Sequence, residues 1–87
     1  MKVAVWDTYV KRADGALMHF DILVPENQSK EQSVLIFGSL YLSTKSFETG
    51  TFSASECQFC HIEQAGEDLQ KAIREKGFSI IEMENCD

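Results

Sequence analysis

Two runs of alternating β-branched and aromatic residues meet at Asp14-Gly15, and that junction constrains the chain more than any other feature. Before it, Val3, Val5 and Tyr9 alternate with Ala4, Trp6 and Val10; after it, Met18, Phe20 and Ile22 alternate with His19 and Asp21. Period-two alternation marks a half-buried strand, and Asp-Gly between two such runs marks a hairpin. A two-residue type I′ turn pairs Ala13 with Ala16 and, counting back, sets Lys11 against Met18, Tyr9 against Phe20 and Asp7 against Ile22. This register buries Val3, Val5, Tyr9, Met18, Phe20 and Ile22 and turns Trp6, Thr8, Val10, His19 and Asp21 to the other face. A one-residue bulge at the turn exchanges the two faces.

The rest of the chain supplies two helices and two more strands. Pro25 ends the second strand, and Ser29 with Gln32 has the form of a capping box. Val34, Leu35, Phe37, Leu40, Tyr41 and Leu42 then form a broad apolar stripe, which predicts a helix over 30–44. Gly38 inside it costs about 1 kcal/mol relative to Ala and marks close approach to a neighbour. Residues 43–55, rich in Ser, Thr and Gly, read as a loop, and 56–62 as a strand. Over 65–76, Glu67 and Asp68 stand near the start, Arg74 and Lys76 near the end and Gly77 just beyond, so the charges match a helix dipole and glycine stops it. Ala65, Leu69, Ala72 and Ile73 form its inner face. Phe78 to Met83 is a short apolar strand, and a right-handed crossover places it inside the sheet. The expectation is a single α+β domain over 1–87, ββαβαβ, with an approximately four-stranded, mainly antiparallel sheet and both helices on one face.

Charge narrows the partners. The net charge of -6 falls wholly on residues 48–87, the half that holds the cysteines. That balance opposes a phosphate-tracking surface, so nucleic acid is not an expected partner. The start, Met1-Lys2-Val3-Ala4-Val5-Trp6-Asp7, has no long apolar segment, and no run of about 18 apolar residues occurs. The expectation is a soluble cytoplasmic protein without a membrane partner. The sheet face away from the helices, with Trp6 and Val10 among polar groups, is then a candidate surface for a partner protein or a second copy.

The run Cys57-Gln58-Phe59-Cys60-His61 is the one chemically ambiguous segment. It matches the pattern that attaches c-type haem, but that attachment goes with export, so haem is not expected. A redox dithiol is most effective with its first Cys at a helix N-terminus, and the next helix starts several residues later. Zinc can use two thiolates with two further ligands, the candidates being Cys57, Cys60, His61, Cys86 and His19. In a strand, however, Cys57, Phe59 and His61 share one face and Gln58, Cys60 and Ile62 the other, so a zinc site there requires a turn. The alternative is that the three cysteines pack as small hydrophobes. Asp7, Thr8, His19 and Asp21 form a further candidate polar cluster, in which the Thr8 hydroxyl with His19 and Asp21 is a candidate nucleophile.

Val5-Trp6-Asp7-Thr8-Tyr9-Val10, His19-Phe20-Asp21, Glu56-Cys57-Gln58-Phe59-Cys60-His61 and Met83-Glu84-Asn85-Cys86 together resemble a family of short bacterial proteins known only as a domain of unknown function. The resemblance runs from the first strand to the last residues and implies an α+β domain with two helices and a largely antiparallel sheet. It implies no activity. Asp7, Thr8, His19, Asp21, Cys57, Cys60, His61 and Cys86 match its motif positions, while Asn85 stands where that pattern often has Gly. These readings favour a non-enzymatic binding or assembly module acting on a partner protein or on itself as a homodimer. A small zinc protein is the alternative. An enzyme built around Thr8, His19 and Asp21 is a second.

Overall fold

A computed structural model describes residues 1–87. The chain forms β1 (Lys2–Lys11), β2 (Leu17–Pro25), α1 (Glu31–Leu42), β3 (Cys57–Gln64), α2 (Glu67–Lys76) and β4 (Ser79–Glu84), with short 3-10 turns at Glu26–Gln28 and Ala54–Glu56. The four strands make one antiparallel sheet in the order β3-β1-β2-β4. The α+β class and the ββαβαβ order are those expected. No helix is long and apolar enough to cross a membrane.

The hairpin register differs by one residue from the two-residue turn. Lys11 pairs with Leu17, Tyr9 with His19, Asp7 with Asp21 and Trp6 with Ile22. The Arg12 N–H bonds the Ala16 carbonyl at 2.8 Å, the Gly15 N–H bonds the Arg12 carbonyl at 3.0 Å, and Gly15 takes φ 95°. This is a three-residue loop, Ala13-Asp14-Gly15, in which only the glycine needs a left-handed backbone. A type I′ turn would also force Asp14 to positive φ. Asp14 instead accepts the Ala16 N–H through its carboxylate at 3.1 Å.

The shift exchanges the faces. Ala4, Trp6, Val10, Met18, Phe20, Ile22 and Val24 form one buried cluster with Val34 of α1, joined at its margin by Leu35, Phe37 and Tyr41. Val3, Val5 and Leu23 form a second cluster with Ala65 and Ile73, with Leu69 packed against it. The two helices, expected on one face, therefore divide between the faces, α1 on the first and α2 on the second. The odd-numbered face supplies Val3, Val5 and Leu23, which would otherwise stand in water, and α2 is the element that covers them.

Two local expectations also change. β4, expected inside the sheet, is an edge strand, because the two strands buried on both faces, β1 and β2, hold the centre. Ser29 does not cap α1: its hydroxyl accepts the Trp6 indole N–H at 3.0 Å, and Lys30 occupies the cap position with no side-chain bond. The capping box lies at Ser53 and Glu56, on the 3-10 turn before β3. α2 ends as expected, Gly77 adopting φ 87° and letting Phe78 stack on Phe37 at 4.6 Å. Asn85 adopts φ 55°, the left-handed conformation that asparagine tolerates best after glycine, and its side chain donates to the Leu17 carbonyl at 2.7 Å.

Gly38 sits where α1 meets the loop and the sheet. A Cβ there would stand 2.6 Å from Phe52 Cε2 and 3.0 Å from Ile22 Cδ1. Gly38→Ala should therefore lower stability by about 1 to 2 kcal/mol, overpacking outweighing the gain in helix propensity. Urea denaturation of the two proteins measures this, and a stabilised variant would contradict the packing argument.

Candidate functional site

The register that buries Trp6 and Phe20 under α1 also assembles a polar group on the opposite face. Asp7 and Asp21 are direct cross-strand partners, and His19 lies diagonal to Asp7. His19 Nε2 is 2.7 Å from Asp7 Oδ1. The Tyr9 ring stacks on the imidazole with centroids 4.2 Å apart and planes 10° apart, which fixes its orientation. Asp7, His19 and Asp21 each offer a ligand atom within 4.8 Å of the others. α2 packs on Val3, Val5 and Leu23 of this face; beyond them Asp7 and His19 stay partly exposed and Asp21 is buried, with Tyr9, Leu17 and Ile81 exposed nearby.

Two facing carboxylates repel, and the electrostatics record it. Burial pushes the Asp21 carboxyl up to about 6, helped by its hydrogen bond to Asp7 and that residue's charge, against the lowering pull of His19 and His61. Tyr9 is also raised, first by desolvation and then by Asp7, Glu84 and Asp21. The site is a concentrated negative charge that wants a proton or a cation.

Thr8 does not belong to it. Its side chain points to the α1 face, fully buried, with the hydroxyl 3.3 Å from Cys57 Sγ and 3.4 Å from the Trp6 carbonyl. The Thr8, His19, Asp21 trio is thus split across the sheet: even-numbered Thr8 faces α1, while the two odd-numbered residues face away.

The cysteines do not converge either. Cys57 is buried opposite Thr8, and burial pushes its thiol up. Cys86 is buried in the same α1-side cluster, its Sγ 3.5 Å from the His19 carbonyl. It reaches that position because Arg12 grips the carbonyls of Asn85 and Asp87 at 3.1 and 2.6 Å. Cys60 is exposed. The pairing of β1 with β3 shifts between Val5 and Trp6, so that His61 opposes Val5 and Phe59 opposes Trp6, leaving Cys60 as a bulge. His61 consequently lies on the open face, not on that of Cys57 and Phe59. Cys57, Cys60, His61, Cys86 and His19 thus form no single zinc set: the group that could hold an ion is Asp7, His19 and Asp21. The cross-strand geometry of Asp7, His19 and Asp21 belongs to the register of the three-residue loop, whereas a two-residue turn would set Asp7 against Ile22.

The arrangement defines a small α+β sheet protein with a carboxylate–imidazole cluster on its half-open face. Residues 1–83 match the family described as a domain of unknown function, DUF2024, and the chain belongs to that family. It is similar to protein NE1680 from Nitrosomonas europaea, whose NMR structure shares 37% identity over 100% of both chains with a TM-score of 0.87. No curated protein matches the chain.

The raised Asp21 carboxyl sets a pH dependence. A group whose folded value exceeds its unfolded one stabilises the fold below the unfolded value and loses that contribution as pH rises through the folded one. As pH rises from the ordinary 3.8 of an aspartate to about 6, Asp21 should therefore make the metal-free protein progressively less stable. The loss should be about 1 to 2 kcal/mol after allowance for solvent screening. Asp21→Asn should flatten this segment of the profile. Thermal melts from pH 3 to pH 8 in the presence of EDTA measure it, and an equal slope in the variant would refute the assignment.

Proposed function

We propose that the protein is a non-enzymatic binding module whose ligand is a divalent transition-metal ion held by Asp7, His19 and Asp21. The observation that carries this reading is the convergence of two carboxylates and one imidazole within 4.8 Å, Asp7 and His19 partly exposed and Asp21 buried beside them. Oxygen and imidazole donors suit zinc, manganese or ferrous iron. Three protein ligands leave a coordination position open, to be filled by water or by a donor from a partner. A bound cation would replace the Asp21 proton and relieve the repulsion between the paired carboxylates, so affinity should fall below about pH 6. Thr8 and Cys57 both point to the α1 side of the sheet, so neither side chain joins this group.

Self-association through the same half-face is the second reading. It is favoured by Tyr9, Leu17 and Ile81, which are 44%, 47% and 44% exposed around the cluster. Titration with cobalt followed by visible absorption, or with zinc by calorimetry, tests the first reading. Uptake should approach about one equivalent. His19→Gln and Asp21→Asn should each weaken it at least about tenfold. Uptake unchanged in both variants would sink the site. Sedimentation equilibrium with and without zinc tests the second, where a monomer under both conditions removes self-association.

A further inference from the structure

Cys60 and His61 lie outside the cluster just described, and the β3 bulge gives them a relation that strand alternation forbids. Neighbouring residues of a regular strand point to opposite faces. At the bulge His61 opposes Val5, Cys60 has no partner on β1, and their side chains meet: His61 Nδ1 is 3.2 Å from Cys60 Sγ, and His61 Nε2 is 3.0 Å from Glu63 Oε1. A carboxylate only accepts, so Nε2 carries the hydrogen and Nδ1 turns its lone pair to the thiol. Thiol, imidazole and carboxylate stand in series, the order in which a base activates a nucleophile and a third group orients the base.

The sulfur also has somewhere to receive a reagent. Cys60 lines a cleft of about 540 Å³ with Asp7, Tyr9, Glu56, Gln58 and Phe59. Hydrogen bonds from Ser53 and Ser55 hold the Glu56 carboxyl below its ordinary range, so with Asp7 it makes the cleft anionic. The other two thiols are enclosed, Cys57 at 2% and Cys86 at 5% exposure.

We infer that Cys60 is a site of reversible thiol–disulfide modification, selective for small disulfides that carry positive charge. The Cys60 thiol gives its proton to His61 Nδ1, and Sγ attacks one sulfur of the disulfide. The new S–S bond forms as the old one breaks, and the departing thiolate takes the proton back from His61. One protein thiol and one disulfide become one mixed disulfide and one free thiol, with no other oxidant. In the metal-free protein Asp7 and Glu56 draw a cationic reagent into the cleft and repel an anionic one.

Intact-protein mass spectrometry with peptide mapping tests this, using cystamine as the cationic probe and dithiodiglycolate as the anionic one. Cystamine should label Cys60 first and leave Cys57 and Cys86 free. It should react several-fold faster than dithiodiglycolate at low ionic strength, with the difference largely lost at about 0.5 M salt. His61→Gln should slow labelling by at least about tenfold. In that variant, continued protection of Cys57 and Cys86 reports an intact fold. Labelling of the buried thiols at the Cys60 rate, an unchanged rate in His61→Gln, or a preference for dithiodiglycolate would overturn the inference.

Discussion

The register of the β1–β2 hairpin is the constraint on which the rest depends. Each strand is apolar on both faces near one end and polar on one face near the other, so a single residue of slip would change what every side chain meets. With Ala13-Asp14-Gly15 as the loop, Trp6, Val10, Met18, Phe20 and Ile22 fall together beneath α1. The same register sets Asp7 against Asp21 on the far side. Core and candidate site are two consequences of one pairing.

That pairing carries a cost, since facing carboxylates on neighbouring strands destabilise a sheet. The surroundings offset it only in part. His19 bonds Asp7, Tyr9 holds the ring in place, and Asp21 keeps its proton up to about pH 6. A purely structural surface would be expected to carry a single carboxylate or a Thr at such a position. Incomplete compensation, beside exposed apolar groups, is what distinguishes this patch from an ordinary solvated acidic face, and functional sites are where such local conflicts concentrate.

Elements whose signal is local were legible in the sequence. α2 begins at acidic residues and ends at Gly77 because dipole and backbone chirality act within a turn, and tertiary structure leaves both in place. Features decided by competition were not. Ser29 has the right spacing for a cap, but the Trp6 indole, distant in sequence, takes its hydroxyl. Asp-Gly suits two loop lengths, and the one adopted is the one that buries Trp6, Val10, Met18, Phe20 and Ile22 together. The candidate site inherits this division. Asp7, His19 and Asp21 were singled out as residues, whereas their convergence, and the departure of Thr8 from them, follow from a register that no residue type declares.

The edges of the sheet make the same point from the other direction. β3 and β4 each carry a bulge, at Cys60 and at Met83, where pairing with the central strands skips a residue. Bulges on edge strands increase local twist and interrupt the row of free backbone groups, which discourages uncontrolled pairing with another chain. At β3 the same distortion has a chemical consequence. A regular strand would send the Cys60 and His61 side chains to opposite faces, and the thiol would have no base. Because the extra residue is accommodated there, an exposed sulfur, an imidazole and Glu63 are aligned within six residues of the buried Cys57. The C-x-x-C-H spacing is therefore best understood by the break in alternation between its two cysteines: the first belongs to the core and the second to the surface.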